Sequence, residues 1–146
     1  MIPEVASARQ RVAAYNVCLD DQDRLLLCRL TAITGRPGAW TLPGGGLDFG
    51  EHPEAGALRE LYEETGLMGR IVELLEVDSI RRTLHAGGID VDYHGIRIVY
   101  RTAVDHAELV HEANGSTDLA CWFTREEIAP LELVEMGELG VRLAFG

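Results

Sequence analysis

The residues with the clearest capacity for chemistry are Glu60, Glu63 and Glu64, which lie downstream of the glycine triplet Gly44-Gly45-Gly46. Pro53 suits the first position of a helix, because its missing N–H would be unpaired there anyway. Gly66 supplies a left-handed cap just past the last turn. The spacing therefore predicts a helix from Pro53 to Gly66, with Leu58, Leu61, Tyr62 and Thr65 on one face and the three glutamates on the other. Gly56 lies one turn before Glu60 and leaves room above the acidic face. For an isolated helix this is a poor arrangement. Like charges at these spacings cost about 0.2–0.5 kcal/mol per pair, and carboxylates in a last turn face the negative end of the helix dipole. Arg59 is the one cation close enough in sequence to offset them. A solvated acidic face would tolerate the repulsion. A divalent cation held by hard oxygen ligands would use it, and the coincidence with a Gly-rich entry loop favours that second reading.

The stretch resembles the signature box of the Nudix hydrolases. The residues that carry the likeness are Gly45, Glu51, Arg59, Glu60, Leu61, Glu63, Glu64, Gly66 and Leu67, preceded by Trp40-Thr41-Leu42-Pro43-Gly44. The resemblance implies an α/β (α+β) fold, an α/β/α sandwich with a mixed sheet between helices, and the box as a loop–helix–loop. It implies that Glu60, Glu63 and Glu64, with the Gly45 carbonyl, hold Mg2+ or Mn2+, and that a glutamate of the helix or of a later loop is the base. Glu60 and Glu64 are expected as ligands and Glu63 as ligand or base. The pattern pairs Arg59 with Glu51, so that Glu51 and Gly66 support the site. The family's further acidic ligand corresponds here to Glu112 or Asp118, each of which would otherwise be a solvated loop acid.

At 146 residues, with 47% apolar and 25% charged residues, the whole chain 1–146 is expected to be one globular domain. The net charge of −11 gives no electrostatic footprint for a nucleic-acid polymer. A small phosphorylated partner fits instead, because a bound cation would reverse the sign locally. Apolar runs such as Arg24–Leu30 are too short to span a bilayer, and the N-terminus lacks an apolar signal core. A cytoplasmic protein is expected, with a homodimer left open. Cys18, Cys28 and Cys121 show no metal-ligand spacing and are read as reduced core thiols.

Along the chain, Arg11–Leu19 and Arg24–Thr31 are expected to form a hairpin around a turn at Asp20–Asp23. Thr34–Gly38 is a loop, and Ala39–Leu42 a short strand leading to the box. Further strands are expected at Met68–Asp78, Tyr93–Val104 and Leu119–Phe123. A turn is expected at His85–Gly88, a loop at Glu108–Asp118, and helices at about Thr124–Ile128 and Glu132–Ala144. Trp40 and Trp122 are read as core aromatics that could alternatively stack a base. Arg81, Arg82 and Arg97 are surface charges that could alternatively meet phosphates. His85, His94, His106 and His111 receive no role.

The expected activity is metal-dependent hydrolysis of a phosphoanhydride in a nucleoside diphosphate derivative or nucleoside triphosphate. The alternative is a Nudix domain that senses a nucleotide without turnover. Some ADP-ribose and dinucleoside-polyphosphate hydrolases carry a Pro or Tyr shortly after the box. Met68–Ile89 contains neither, which disfavours those substrates.

Overall fold

The second strand shows how the architecture is built. β2 (Leu25–Leu30) opens with a run of buried residues, and successive side chains point to opposite faces. Leu25 and Leu27 join a core with Trp40, Leu42, Met136 and Leu139, whereas Leu26 and Cys28 join another with Cys18, Leu61 and Leu67. The strand is apolar through its first four residues because both its faces are covered there.

The computed structural model describes residues 7–146. One sheet has the order β4-β1-β6-β5, from β1 (Ser7–Val17), β4 (Gly44–Gly46), β5 (Gly69–Ala86) and β6 (Ile89–Val104). It is mixed, since β1 runs parallel to β6 and antiparallel to β4. The other sheet has the order β3-β2-β7, with β3 (Trp40–Thr41) and β7 (Thr117–Phe123), and is antiparallel. α1 (Pro53–Thr65) packs with Leu61 in one core, and α2 (Arg125–Ile128) and α3 (Glu135–Phe145) contribute Ile128, Met136 and Leu139 to the other. The α+β class with a mixed sheet between helices is the expected one. No helix among the described residues is long and apolar enough to cross a membrane.

Two local expectations change. The chain does turn at Asp20–Asp23, where Asp20 accepts hydrogen bonds from the N–H groups of Gln22 and Arg24 at 3.0 and 2.8 Å. The flanking strands nevertheless part into different sheets and keep only a bridge at Leu19 and Leu25. Both edges of β1 are taken by β4 and β6, and both edges of β2 by β3 and β7, which leaves neither free to form the hairpin. The Met68–Asp78 strand runs on to Ala86, paired with β6, and turns at Gly87-Gly88. Its distal part is polar and exposed, so hydropathy alone did not mark it as a strand. Trp40 lies in the core, edge-on to Phe123 with ring centroids 4.9 Å apart.

Asn16 ties the elements that carry the box. It is fully buried on β1. Its amide donates to the carbonyls of Pro43 at 3.1 Å and Ala57 at 2.9 Å, and its oxygen accepts from the Thr102 hydroxyl at 2.8 Å. One side chain thus joins β1, β6, the entry to the glycine loop and α1. Removing it leaves buried polar groups unpaired, at roughly 1–3 kcal/mol. Asn16→Ala is expected to lower unfolding free energy by about that amount or more in urea titration. A loss below about 0.5 kcal/mol, the lower end for a single net hydrogen bond, would show that the tie is dispensable.

Candidate active site

α1 begins and ends as its sequence requires. His52 caps it by accepting from the Glu54 N–H at 3.1 Å, a role not assigned to this histidine from sequence. Gly66 closes it at φ 75°, in the left-handed region, and its N–H donates to the Tyr62 carbonyl at 2.8 Å. The buried face differs from the expected one. Ala57, Leu61, Glu64 and Thr65 turn inward and Leu58 is half-buried, while Tyr62 lies outside. The helix is rotated so that Glu64 occupies the interior edge that an apolar stripe would have given to Tyr62.

The three glutamates therefore form a graded series. Glu64 is 2% exposed, the Glu60 side chain 17% and the Glu63 side chain 47%. Glu64 accepts from the Gly44 N–H at 2.9 Å. Burial pushes its carboxyl well above the usual range, the Gly44 hydrogen bond opposes this, and the charges of Glu60, Glu112 and Glu63 push it further up. Burial also raises Glu60 against the pull of Arg59, with Glu63 and Glu112 adding repulsion. Gly45 lies against Glu60, since a Cβ built there would stand 3.0 Å from its Oε1.

Arg59 organises the loop. Its Nε and Nη2 donate to the two Glu51 oxygens at 2.8 and 2.9 Å, the fork geometry that a guanidinium offers a carboxylate. Nη2 also reaches the Gly46 carbonyl at 3.3 Å, and Nη1 bridges Glu60 at 3.2 Å and Glu63 at 3.3 Å. Gly56 lets Glu51 come close, as a Cβ there would meet Glu51 Oε1 at 2.9 Å. The Arg59 bonds hold Glu51 down at about 2.

Of the loop acids, Glu112 lies near enough to raise both Glu60 and Glu64, and its carboxylate accepts from Thr117 at 2.9 Å. Asp118 instead pairs with Arg29 at 2.8 Å. Among the described residues no three acidic, imidazole or thiol side chains converge as a finished metal-ligand set. The donors still fit a hard divalent cation. A nearly buried carboxylate lacks a cationic contact, a glycine keeps the space before Glu60 clear, and Arg59 Nη1 already lies where Glu60 and Glu63 call for positive charge.

Glu64, Gly44 and Gly45 border a cleft of about 370 Å³ that is also lined by Arg11, Arg36, Arg82 and Arg97. Arg82 and Arg97 are among the sequence candidates for phosphate contact, whereas Arg81 lies elsewhere and pairs with Asp92 at 2.8 Å. Arg11 and Arg36 were not foreseen. Arg11 lies within β1 and Arg36 sits in a loop, and neither neighbourhood carries a local signal.

A family model described as the NUDIX domain matches residues 9–140. An RNA pyrophosphohydrolase of Sphingopyxis alaskensis is 31% identical over 105 residues, covering 69% of this chain and 63% of the relative. Diphosphoinositol polyphosphate phosphohydrolase 3-alpha of Mus musculus is 35% identical over 69 residues, covering 47% of this chain and 40% of the relative. The chain thus spans less than two thirds of these relatives' length. The structure of a MutT NUDIX hydrolase from Burkholderia pseudomallei superposes with a TM-score of 0.74 at 24% identity, over 92% of this chain and 98% of that one.

Two outcomes follow from the electrostatics. Glu64→Gln keeps an acceptor for Gly44 and removes the cost of burying an ionisable carboxyl among like charges, so in metal-free protein at neutral pH it is expected to raise the melting temperature by about 2–4 °C per kcal/mol of that cost. A lower melting temperature would contradict this account. For Glu51 the folded-state pKa is depressed from 4.5 to about 2. The stability it contributes is complete above pH 4.5 and is lost as pH falls from there through about 2. The stability gap between wild type and Glu51→Gln is expected to stay level from neutral pH to about 4.5 and to close below it. A gap that closes at higher pH would refute the clamp.

Proposed function

The chain belongs to the NUDIX domain family, and we propose that it is a hydrolase that cleaves a phosphoanhydride in a nucleoside diphosphate derivative or nucleoside triphosphate. The observation that carries this reading is the set of carboxylates graded from interior to solvent beside Gly44 and Gly45, at the edge of an arginine-lined cleft. The names of the two relatives, a pyrophosphohydrolase and a diphosphoinositol polyphosphate phosphohydrolase, support the bond class.

The Gly45 carbonyl, Glu60, Glu63, Glu64 and Glu112 are the groups that would hold Mg2+ or Mn2+. Such an ion, when bound, supplies neutralisation of phosphate oxygens and acidifies water. The chain's own residues do the rest. Glu63, the most exposed of the three helix glutamates, takes the proton of the attacking water, with Glu60 beside it as the other candidate. Water oxygen bonds to phosphorus, the anhydride P–O bond breaks, and the bridging oxygen leaves with the departing phosphate. Arg59 contacts Glu60 and Glu63 through Nη1 and clamps the loop through Glu51. The cleft arginines present guanidinium donors to the anionic substrate. The unpaired thiols Cys18, Cys28 and Cys121 suit a reducing compartment, so we place the protein in the cytoplasm.

The test is a panel of nucleoside diphosphate derivatives and triphosphates with Mg2+, read by product chromatography. At least one is expected to be hydrolysed, with activity lost in EDTA and regained on adding Mg2+. Glu60→Gln and Glu63→Gln are expected to lower kcat by about 10²-fold or more, the scale of removing a general base. Wild-type protein that binds nucleotide tightly yet hydrolyses none of the panel would replace this reading with nucleotide sensing.

A further inference from the structure

The cleft carries guanidinium groups whose charges are not equally satisfied. Arg36 is paired with Glu132 at 2.8 Å, Arg82 with Glu135 at 2.7 Å, and Arg97 with Asp78. Arg11 has no carboxylate partner among the described residues. It lies exposed on β1, on the strand face it shares with Tyr15, and the Tyr93 ring lies over Gly95, its cross-strand neighbour.

Its position is built by the sheet. Parallel pairing of β1 with β6 sets Arg11 beside Gly95, and β5 sets Ile80 on the other side of that glycine. A Cβ at Gly95 would stand 3.1 Å from Tyr93 Cε1 and 3.3 Å from its hydroxyl, so the missing side chain leaves space that the Tyr93 ring occupies. Gly46 plays the same part from β4, where a Cβ would meet Arg11 Nε and Nη2 at 2.9 Å. The Gly46 carbonyl is meanwhile held by Arg59 at 3.3 Å. Arg11 and the box arginine thus meet the same glycine, one at its Cα and the other at its carbonyl. Tyr15, which pairs with Gly44 in the β1–β4 register, lies four residues on from Arg11 and shares its face of β1. Gly46 leaves room for this cation beside the cleft that Glu64, Gly44 and Gly45 border, where Arg11 and Tyr15 both contribute to the lining.

We propose that Arg11, flanked by Tyr15 and Tyr93, is a binding residue for a phosphoryl group of a diphosphate-containing ligand lying in this cleft. A guanidinium offers a planar fork of donors suited to phosphate oxygens. Phenols beside the fork, neutral at ordinary pH, leave its charge in place where a carboxylate would cancel it. The assignment deepens the hydrolase reading and rests on it for the ligand class, but its test does not require turnover.

The probes are methylenebisphosphonate and its adenosine ester, both resistant to hydrolysis, titrated calorimetrically with Mg2+ present into wild type, Arg11→Lys, Arg11→Met and Tyr93→Phe. Thermal melts show that each variant is folded. Arg11→Met is expected to weaken both probes by tenfold or more, while Arg11→Lys and Tyr93→Phe weaken them two- to fivefold. Equal binding by folded Arg11→Met, or no binding of either probe by wild type, overturns the proposal. A loss confined to the adenosine ester also overturns it, by placing Arg11 against base or ribose. Wild type that binds both probes through Arg11 but hydrolyses no anhydride would sink the hydrolase reading and leave this assignment standing.

Discussion

Repulsion among carboxylates at the end of α1 is the constraint to which the rest of the site answers. Glu64 is almost completely buried, with the Gly44 N–H as its one hydrogen-bond partner among the described residues, and Glu60, Glu63 and Glu112 all act on it with the same sign. A carboxylate buried without a cation is costly, and its protonation state shifts as a result. The fold supplies only part of the compensation, through Arg59. That guanidinium is divided among Glu51, Glu60, Glu63 and the Gly46 carbonyl, so its charge does not reach Glu64 as a contact. Stability is given up locally, and a site that attracts positive charge is the result. Such conflicts between local stability and arrangement concentrate where proteins function.

Holding that conflict in place requires backbone precision, and polar ties and missing side chains provide it. Asn16 fixes the height of the glycine loop against α1 from below, and Arg59 with Glu51 fixes it from the solvent side. Between them Gly45 faces Glu60 and Gly46 faces Arg11, because successive residues on a strand present opposite faces. A strand of three glycines contributes little packing. It serves as a thin partition that lets charged groups approach from both sides.

What could be read from the chain alone followed from how local each feature is. The limits of α1 were legible because Pro53 and Gly66 mark them in the sequence itself. The apolar character of Leu25–Cys28 was equally plain. The parting of β1 from β2 was not, because it depends on which edges β4, β6, β3 and β7 occupy, and that pairing is non-local. The same reason hid Arg11: its significance lies in Gly95 and Gly46, distant in sequence and adjacent only through strand register. The glutamate spacing gave a shared face, but the rotation that buries Glu64 and exposes Tyr62 is set by packing against the sheets. Glu112 and Asp118 looked equivalent as loop acids and differ because one lies near the cluster and the other meets Arg29.

The charge distribution then gains a physical logic. A net charge of −11 would repel phosphorylated compounds at long range, with the field screened beyond about 8–10 Å at ordinary ionic strength. Inside that distance the cleft presents a different surface. Arg36, Arg82 and Arg97 are neutralised by partners and so contribute shape and hydrogen-bond donors more than field. Arg11 has no carboxylate partner among the described residues and lies opposite an acidic cluster that calls for a cation of its own. Attraction for an anion therefore arises at two points that flank the glycine loop, one intrinsic to the chain and one dependent on what the carboxylates hold. A ligand with charge at a single point would satisfy one of them. A diphosphate has charge to offer both.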